Sequence, residues 1–329
     1  MVRILVIGGG GMVGGKLAER LAVTGLNGRL PQQLVLLDLS YPKTGTAYGD
    51  RRIGDLTVSG ISESLAAERF DVIFHLAAIV SGEAEQDFSK GWQVNLMSVW
   101  HFLEALRREH EASSGSYRPR LVFASTTGVY GPPIDGPVDD ARICEPRSSY
   151  GAQKVCAEML IGDFSRKGFV DGVSLRLPTI CVRPGRANAA ASSFFSNIIR
   201  EPLNGSEAVL PVARDFRHMH ASPRSAAGFF THAAELDTVR LEGRRALNMP
   251  SLTCSVGEQI EALREIAGTE TVKLIREQPD PFVESIVSSW PREFAAERAE
   301  ALGFTAEKDF REIINIYIED ELHVTPAPG

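Results

Sequence analysis

The chain has 329 residues, 43% of them hydrophobic and 23% charged. That balance supplies a sizeable core and excludes wholesale disorder. Its 35 basic and 42 acidic residues give a formal net charge of -7, which argues against a nucleic-acid surface built on clustered Lys and Arg. Cys144, Cys156, Cys181 and Cys254 are too irregularly spaced for a disulfide scaffold or a zinc cluster. They read as free thiols in a reducing compartment. No apolar run approaches the roughly 18 residues of a membrane helix. Ile4–Ile7 runs straight into glycines, unlike a signal peptide. The expected location is the cytoplasm.

In chain order, Val2–Ile7 is a short apolar run rich in β-branched residues, and a glycine cluster ends it. Met12–Thr24 then has helical apolar spacing. Apolar runs recur at Leu34–Leu37, Val72–His75, Leu121–Phe123 and Val173–Leu177, separated by helix-like segments at about 61–69, 86–110 and 148–167. Short continuous apolar runs suit strands buried on both faces. Their alternation with helices predicts a doubly wound parallel sheet of Rossmann type. After Pro178 the rhythm breaks: Arg183–Ala191 reads as loop, Ser192–Arg200 as helix, and Val209–Val212 and Arg217–Ala221 as short strands. Ser255 and Glu258 form a capping box ahead of Ile260–Ala267. Thr305 is placed as the cap of a last helix with Phe310, Ile313, Ile314 and Tyr317 on one face. The tail Thr325–Gly329 should fray. The expected class is α/β. A Rossmann domain spans 1–178, with a return segment near 217–248. A smaller C-terminal α/β substrate lobe takes 179–216 and 249–329.

Gly8, Gly11 and Gly14 make a GxxGxxG spacing between the first strand and the first helix, around Met12 and Val13. A side chain here would keep a pyrophosphate from the backbone, while the helix N-terminus offers N–H groups and a positive dipole end. Asp38 ends the second strand, 24 residues past Gly14. A carboxylate there accepts from both adenosine ribose hydroxyls and repels a 2′-phosphate, favouring NAD over NADP. It also suits a strand-end turn. Asp55 and Leu56 follow the third strand, with Asp55 placed near the adenine amino group.

Tyr150 and Lys154 share one face of a helix, a turn apart. A phenol titrates near 10, and a neighbouring ammonium and cationic nicotinamide would lower that value. Leu121–Gly131 is a buried strand that ends in the hydroxyls Ser125, Thr126 and Thr127. Hydroxyls at that edge of a parallel sheet face the ligand crevice, although serine and threonine also serve plain turns.

Together these segments resemble the extended short-chain dehydrogenase/reductases of the NAD-dependent epimerase/dehydratase superfamily, over nearly the whole chain. The resemblance includes His75-Leu76-Ala77-Ala78 and Asn95. It implies Tyr150 as acid/base, Lys154 as its partner, and Thr126 as the catalytic hydroxyl, with Ser125 the alternative if the register slips by one. It implies NAD held by the glycine turn, Asp38, Asp55, Leu56, Leu76, Ala77, Ala78, Asn95, Tyr150, Lys154 and Pro178. Ile7 departs from the threonine of many members, and Thr126 from the commoner serine.

Within the superfamily, Leu175–Arg186, Ala189–Phe195 and Glu207–Val212 are similar to the D-erythronate dehydrogenase group, which oxidises a four-carbon sugar acid at C2. That likeness implies NAD-dependent oxidation of a sugar acid to the 2-oxo acid. A substrate carboxylate needs a cationic partner. Arg183 and Arg186 lie in the loop past the nicotinamide segment, Asn188, Ser192 and Ser193 can bind further hydroxyls, and Ser81, after the fourth strand, can flank the substrate carboxylate or the C2 oxygen. Loop arginines are usually solvated, however, and Ser192 also reads as a helix cap. His218 and His220 lack a third ligand and suggest packing or a substrate hydrogen bond; no metal is expected. Arg214, Arg217 and Arg224 around that pair would suit a pyrophosphate. They keep open a nucleotide-sugar epimerase with retained NAD. A non-catalytic NAD-sensing protein has no need of Tyr150, Lys154 and Thr126 together. A homodimer can form through the helices near 86–110 and 148–167, although Trp92, Val99 and Phe102 equally suit packing on their own sheet.

Overall fold

The structure is a computed structural model that describes residues 2–42, 47–132, 134, 136–185, 192–288 and 290–322. Arg186, Asn188 and the tail from Thr325 lie outside the described residues. The apolar runs become β1 (Arg3–Ile7), β2 (Gln33–Asp38), β4 (Val72–His75), β5 (Arg120–Thr126) and β6 (Asp171–Leu177), while the polar segment Asp50–Ile53 forms β3 at the edge of the sheet. Further on lie β7 (Thr179–Ile180), β8 (Ala208–Leu210), β9 (Arg217–Ala221), β10 (Ala246–Asn248), β11 (Leu252–Ser255) and β12 (Ile275–Glu277). The central sheet has seven parallel strands in the order β10-β6-β5-β4-β1-β2-β3. The chain winds outward from β1 to β3 and then returns to β4, so a crevice opens beyond the C-terminal ends of β1 and β4. β9 joins β7 and β11 in a separate sheet, and β8 pairs with β12.

Helices cover both faces. Leu17 and Leu21 of α1 (Met12–Val23) meet the sheet in one core, together with Phe229 and Phe230 of the helix Pro223–Glu235. On the other face α2 (Ile61–Ala67) packs with Val99, Phe102 and Leu106 of α5 (Ser98–Ala112) and with Ile161 of α6 (Ser149–Arg166). Val99 and Phe102 are thus taken up by the chain's own core. A third core unites α7 (Ser193–Leu203) with the helices Val256–Ala267 and Phe310–Tyr317. No helix among the described residues is long and apolar enough to cross a membrane. The four cysteines are free thiols.

Two elements differ from the sequence expectation. The stretch expected as one helix over about 86–110 is α3 (Ser81–Gln86), then α4 (Phe88–Trp92), a π-helical turn over Gln93–Met97, and α5. The wider turn carries the buried Asn95, which bonds outward to neighbouring segments. The last helix is capped by Asp309, not Thr305: the Asp309 carboxylate accepts from the Arg311 amide at 2.8 Å. The cap must sit just before the first helical residue, and Thr305 lies too far upstream. The Ser255–Glu258 capping box is present.

Behind the C-terminal ends of β5 and β6 lies a buried ionic group. The Arg176 guanidinium donates to the Glu158 carboxylate at 2.7 Å and to the Tyr130 hydroxyl at 2.5 Å. The Ser125 hydroxyl donates to the same carboxylate at 2.5 Å. The Glu158 side chain is 0% exposed and that of Arg176 6%. Burial works against the guanidinium's charge, but the bonds and charge of Glu158 outweigh it and hold its pKa above the ordinary value. Arg176→Met would strand a buried carboxylate and should cost about 3–5 kcal/mol in urea unfolding. Replacing Glu158 by Leu as well should recover most of that loss.

Candidate active site

The first turn is held by backbone-to-backbone approaches that only glycine permits. Gly8 has φ +93°, and a Cβ on it would stand 2.6 Å from the Ala77 amide nitrogen. A Cβ on Gly14 would stand 2.0 Å from the Gly8 carbonyl oxygen. No side chain caps the N-terminus of α1. It opens instead into a cavity of about 460 Å³ that reaches Gly8, Gly11, Met12, Val13 and Gly14. Asp38 stands at the rim of the turn, its carboxylate accepting from the Gly10 amide at 2.8 Å and the Leu39 amide at 2.7 Å. Uncapped helix amides, a turn without side chains and a strand-end carboxylate form the donor and acceptor set a dinucleotide requires.

Leu76 and Ala78 line the same cavity, but Asp55, Leu56, Ala77 and Asn95 do not. The Asp55 carboxylate is held by the Thr57 amide and hydroxyl, both at 2.8 Å. Leu56 is buried in the core beside α2. The Ala77 amide donates to the Ile7 carbonyl. Asn95 accepts from the Ile79 amide at 2.9 Å and donates to the Gln153 side chain at 2.8 Å, tying the loop after β4 to α6.

Ser148 caps α6 by accepting from the Gly151 amide at 3.2 Å, which brings Tyr150 and Lys154 onto the cavity wall. The Lys154 ammonium donates to the Ala124 carbonyl at 2.8 Å and lies 5.6 Å from the centre of the Tyr150 ring. Burial pushes Lys154 down to about 7, against the opposing charge of Glu158 one turn on. Burial pushes the Tyr150 phenol up to about 12. Burial thus acts on the phenol in the direction opposite to that expected of a neighbouring ammonium together with a cationic nicotinamide. Successive residues of β5 divide the hydroxyls. Ser125 Oγ turns to Glu158, while Thr126 Oγ1 accepts from the Gly128 amide at 3.1 Å at the cavity wall.

The far side of the cavity carries Ser81, Pro178, Arg183, Ser192 and Ser193. Ser192 precedes α7 but makes no cap bond. The backbone of Arg183 is pinned to α7: its amide donates to Ser196 Oγ at 2.9 Å and its carbonyl accepts from Arg200 at 2.8 Å. Its guanidinium has no acceptor among the described residues. Burial, then the charge of Arg200, depresses its pKa. By contrast Arg214 pairs with Glu277, Arg217 with Glu258, and Arg224 with Glu319 and Asp320, all away from this cavity. His218 and His220 are fully buried and bond Thr179 and Gln259. Sequence reasoning missed Phe230, which comes from a core helix, and Trp290, which stands in a loop without periodic signal; both line the cavity.

Residues 4–220 match the NAD-dependent epimerase/dehydratase family. The chain belongs to that family, and its cofactor is NAD. It is 41% identical to a D-erythronate dehydrogenase from Cupriavidus necator, over 97% of this chain and 98% of that one. It is 35% identical to a D-erythronate dehydrogenase from Haemophilus influenzae, over 98% and 100%. Among solved structures, one described as a nucleoside-diphosphate-sugar epimerase from Agrobacterium tumefaciens superposes with a TM-score of 0.94. It is 48% identical, and the match covers 99% of this chain and 96% of that one.

Gly14→Ala should weaken NAD binding at least about tenfold by calorimetry, since the added methyl forces the turn apart. A second expectation concerns His75, buried beside Phe102 and Phe123, which burial and then Lys154 hold down to about 3. Unfolded histidine takes a proton below 6.5, whereas this one stays neutral. Stability is therefore present above about pH 6.5 and is lost as pH falls toward about 3. Between about pH 7 and about pH 5, His75 should contribute about 2 kcal/mol of that loss. Urea unfolding of His75→Phe at both pH values should show a pH dependence shallower by that amount.

Proposed function

We propose that the protein is an NAD-dependent dehydrogenase that oxidises the C2 hydroxyl of a short sugar acid of the D-erythronate type to the 2-oxo acid. The observation that carries this reading is the Arg183 guanidinium, unpaired among the described residues, in the cavity shared by Tyr150 and Thr126. A 2-hydroxy acid presents a carboxylate beside the reacting alcohol, and a guanidinium fork binds that group. The two D-erythronate dehydrogenases aligned over nearly the full chain support the same substrate class.

The glycine turn and Asp38 would hold NAD, which would supply the acceptor for the hydride on C2. Tyr150 takes the hydroxyl proton at its phenolic oxygen. Since burial alone raises that phenol to about 12, the positive charges of Lys154 and the cofactor must bring it toward neutrality. Thr126 Oγ1 spends a lone pair on the Gly128 amide, which leaves its O–H to steady the substrate oxygen. Lys154 holds the nicotinamide ribose, and Ser81 and Ser192 bind further oxygens. In this reading residues 1–178 with 217–248 serve the cofactor, as the return of β10 to the central sheet supports. Residues 179–216 with 249–329 serve the substrate.

The Agrobacterium tumefaciens structure favours a second reading, a nucleotide-sugar epimerase. Against it, Arg214, Arg217 and Arg224 are spent in ion pairs away from the cavity, so they form no cradle for a pyrophosphate. A screen of four- to six-carbon sugar acids read by NADH absorbance separates the two. The epimerase would release no net NADH and would keep its cofactor through purification. Tyr150→Phe should abolish turnover with NAD affinity changed less than about threefold. Arg183→Met should raise KM for the sugar acid by about 10- to 100-fold, the loss of one charge-assisted fork. An unchanged KM would assign the carboxylate to another group.

A further inference from the structure

The HxH pair of β9 has so far taken no part in the chemistry. His218 is 0% exposed. Its ring stacks on Phe195 at 4.9 Å with 6° between planes and lies 5.8 Å from Trp290. Its Nε2 meets Thr179 Oγ1 at 2.8 Å, while its Nδ1 has no partner among the described residues. Thr179 opens β7 directly after Pro178, and its side chain lines the cavity. One residue is thus shared between a buried imidazole and the substrate space.

The proton can be placed on this imidazole. Orphaned buried N–H groups are rarer than orphaned acceptors, which puts the hydrogen on Nε2 and leaves Nδ1 as the unpaired acceptor. His218 then donates to Thr179 Oγ1. Burial holds His218 down to about 3, so this arrangement persists at any working pH. The Thr179 hydroxyl has one donor hydrogen of its own. With His218 occupying an acceptor position, that hydrogen is free to point into the cavity. Pure packing would be served as well by valine at 179 and phenylalanine at 218.

Resting on the dehydrogenase reading above, we infer that Thr179 is a specificity residue that donates to a hydroxyl beyond C2 of the substrate, and that His218 is the buried positioning residue that sets its rotor. The class selected is then the polyhydroxy acid over the simple 2-hydroxy acid. An acid without distal hydroxyls leaves the Thr179 donor without a ligand partner, and sites built this way reject such analogues strongly. Trp290 stands against His218 and walls the same space.

The test is a calorimetric titration of NADH-loaded protein with D-erythronate and with 2-hydroxybutanoate, repeated as kcat/KM on the NAD-loaded enzyme. The wild type should favour D-erythronate by about 100-fold or more. Thr179→Val should cut that ratio at least about tenfold, and Thr179→Ser should keep it. His218→Phe should lower the ratio chiefly through KM for D-erythronate, with kcat held within about threefold. A ratio unchanged in Thr179→Val overturns the inference while leaving the dehydrogenase reading intact. A wild type that binds neither acid overturns both.

Discussion

The buried carboxylate of Glu158 is the constraint on which the site depends. Tyr150, Lys154 and Glu158 follow one another at four-residue spacing along α6. Glu158 is anchored to Arg176 of β6 and to Ser125 of β5. Those bonds fix the helix against the two strands whose ends line the cavity. They also hold the Ser125 hydroxyl on Glu158, while the Thr126 hydroxyl accepts from the Gly128 amide; side chains alternate along a strand, and both residues line the cavity. The same carboxylate opposes the desolvation that pulls Lys154 toward neutrality.

Charge is distributed with economy around this centre. Arg176, Arg200 and Arg224 meet carboxylates. Arg183 lines the cavity and meets no carboxylate among the described residues. Burial also raises the Tyr150 phenol and lowers the Lys154 ammonium in the protein alone. A positive charge bound beside them would lower both values, favouring the phenolate and opposing the ammonium.

The parts of the molecule legible in the sequence were those set by local chemistry. Apolar runs bounded by turns marked five strands of the central sheet, and the glycine spacing marked the turn between β1 and α1. The Ser255 box marked one helix start to the residue, whereas the last helix was misplaced because Asp309 and Thr305 are both acceptable caps by type. The π-helical turn at Gln93–Met97 left no periodic trace, since one wide turn shifts the phase only slightly. The polar atoms of Asp38, Asp55 and Asn95 meet Gly10, Thr57, Ile79 and Gln153, contacts that their sequence positions do not announce. A side chain's type states what it can bond, not which partner reaches it first.

By itself, then, the sequence determined the doubly wound class, the phosphate turn and the tyrosine–lysine face, because each follows from spacing within a few residues. Tertiary structure alone decided that Ser125 bonds Glu158 while Thr126 bonds the Gly128 amide, that Arg183 meets no carboxylate among the described residues while Arg214 and Arg217 each meet one, and that His218 bonds Thr179. These are outcomes of competition between groups far apart in the chain. Only packing decides such competition, by bringing one acceptor within hydrogen-bond reach and removing water from the alternatives.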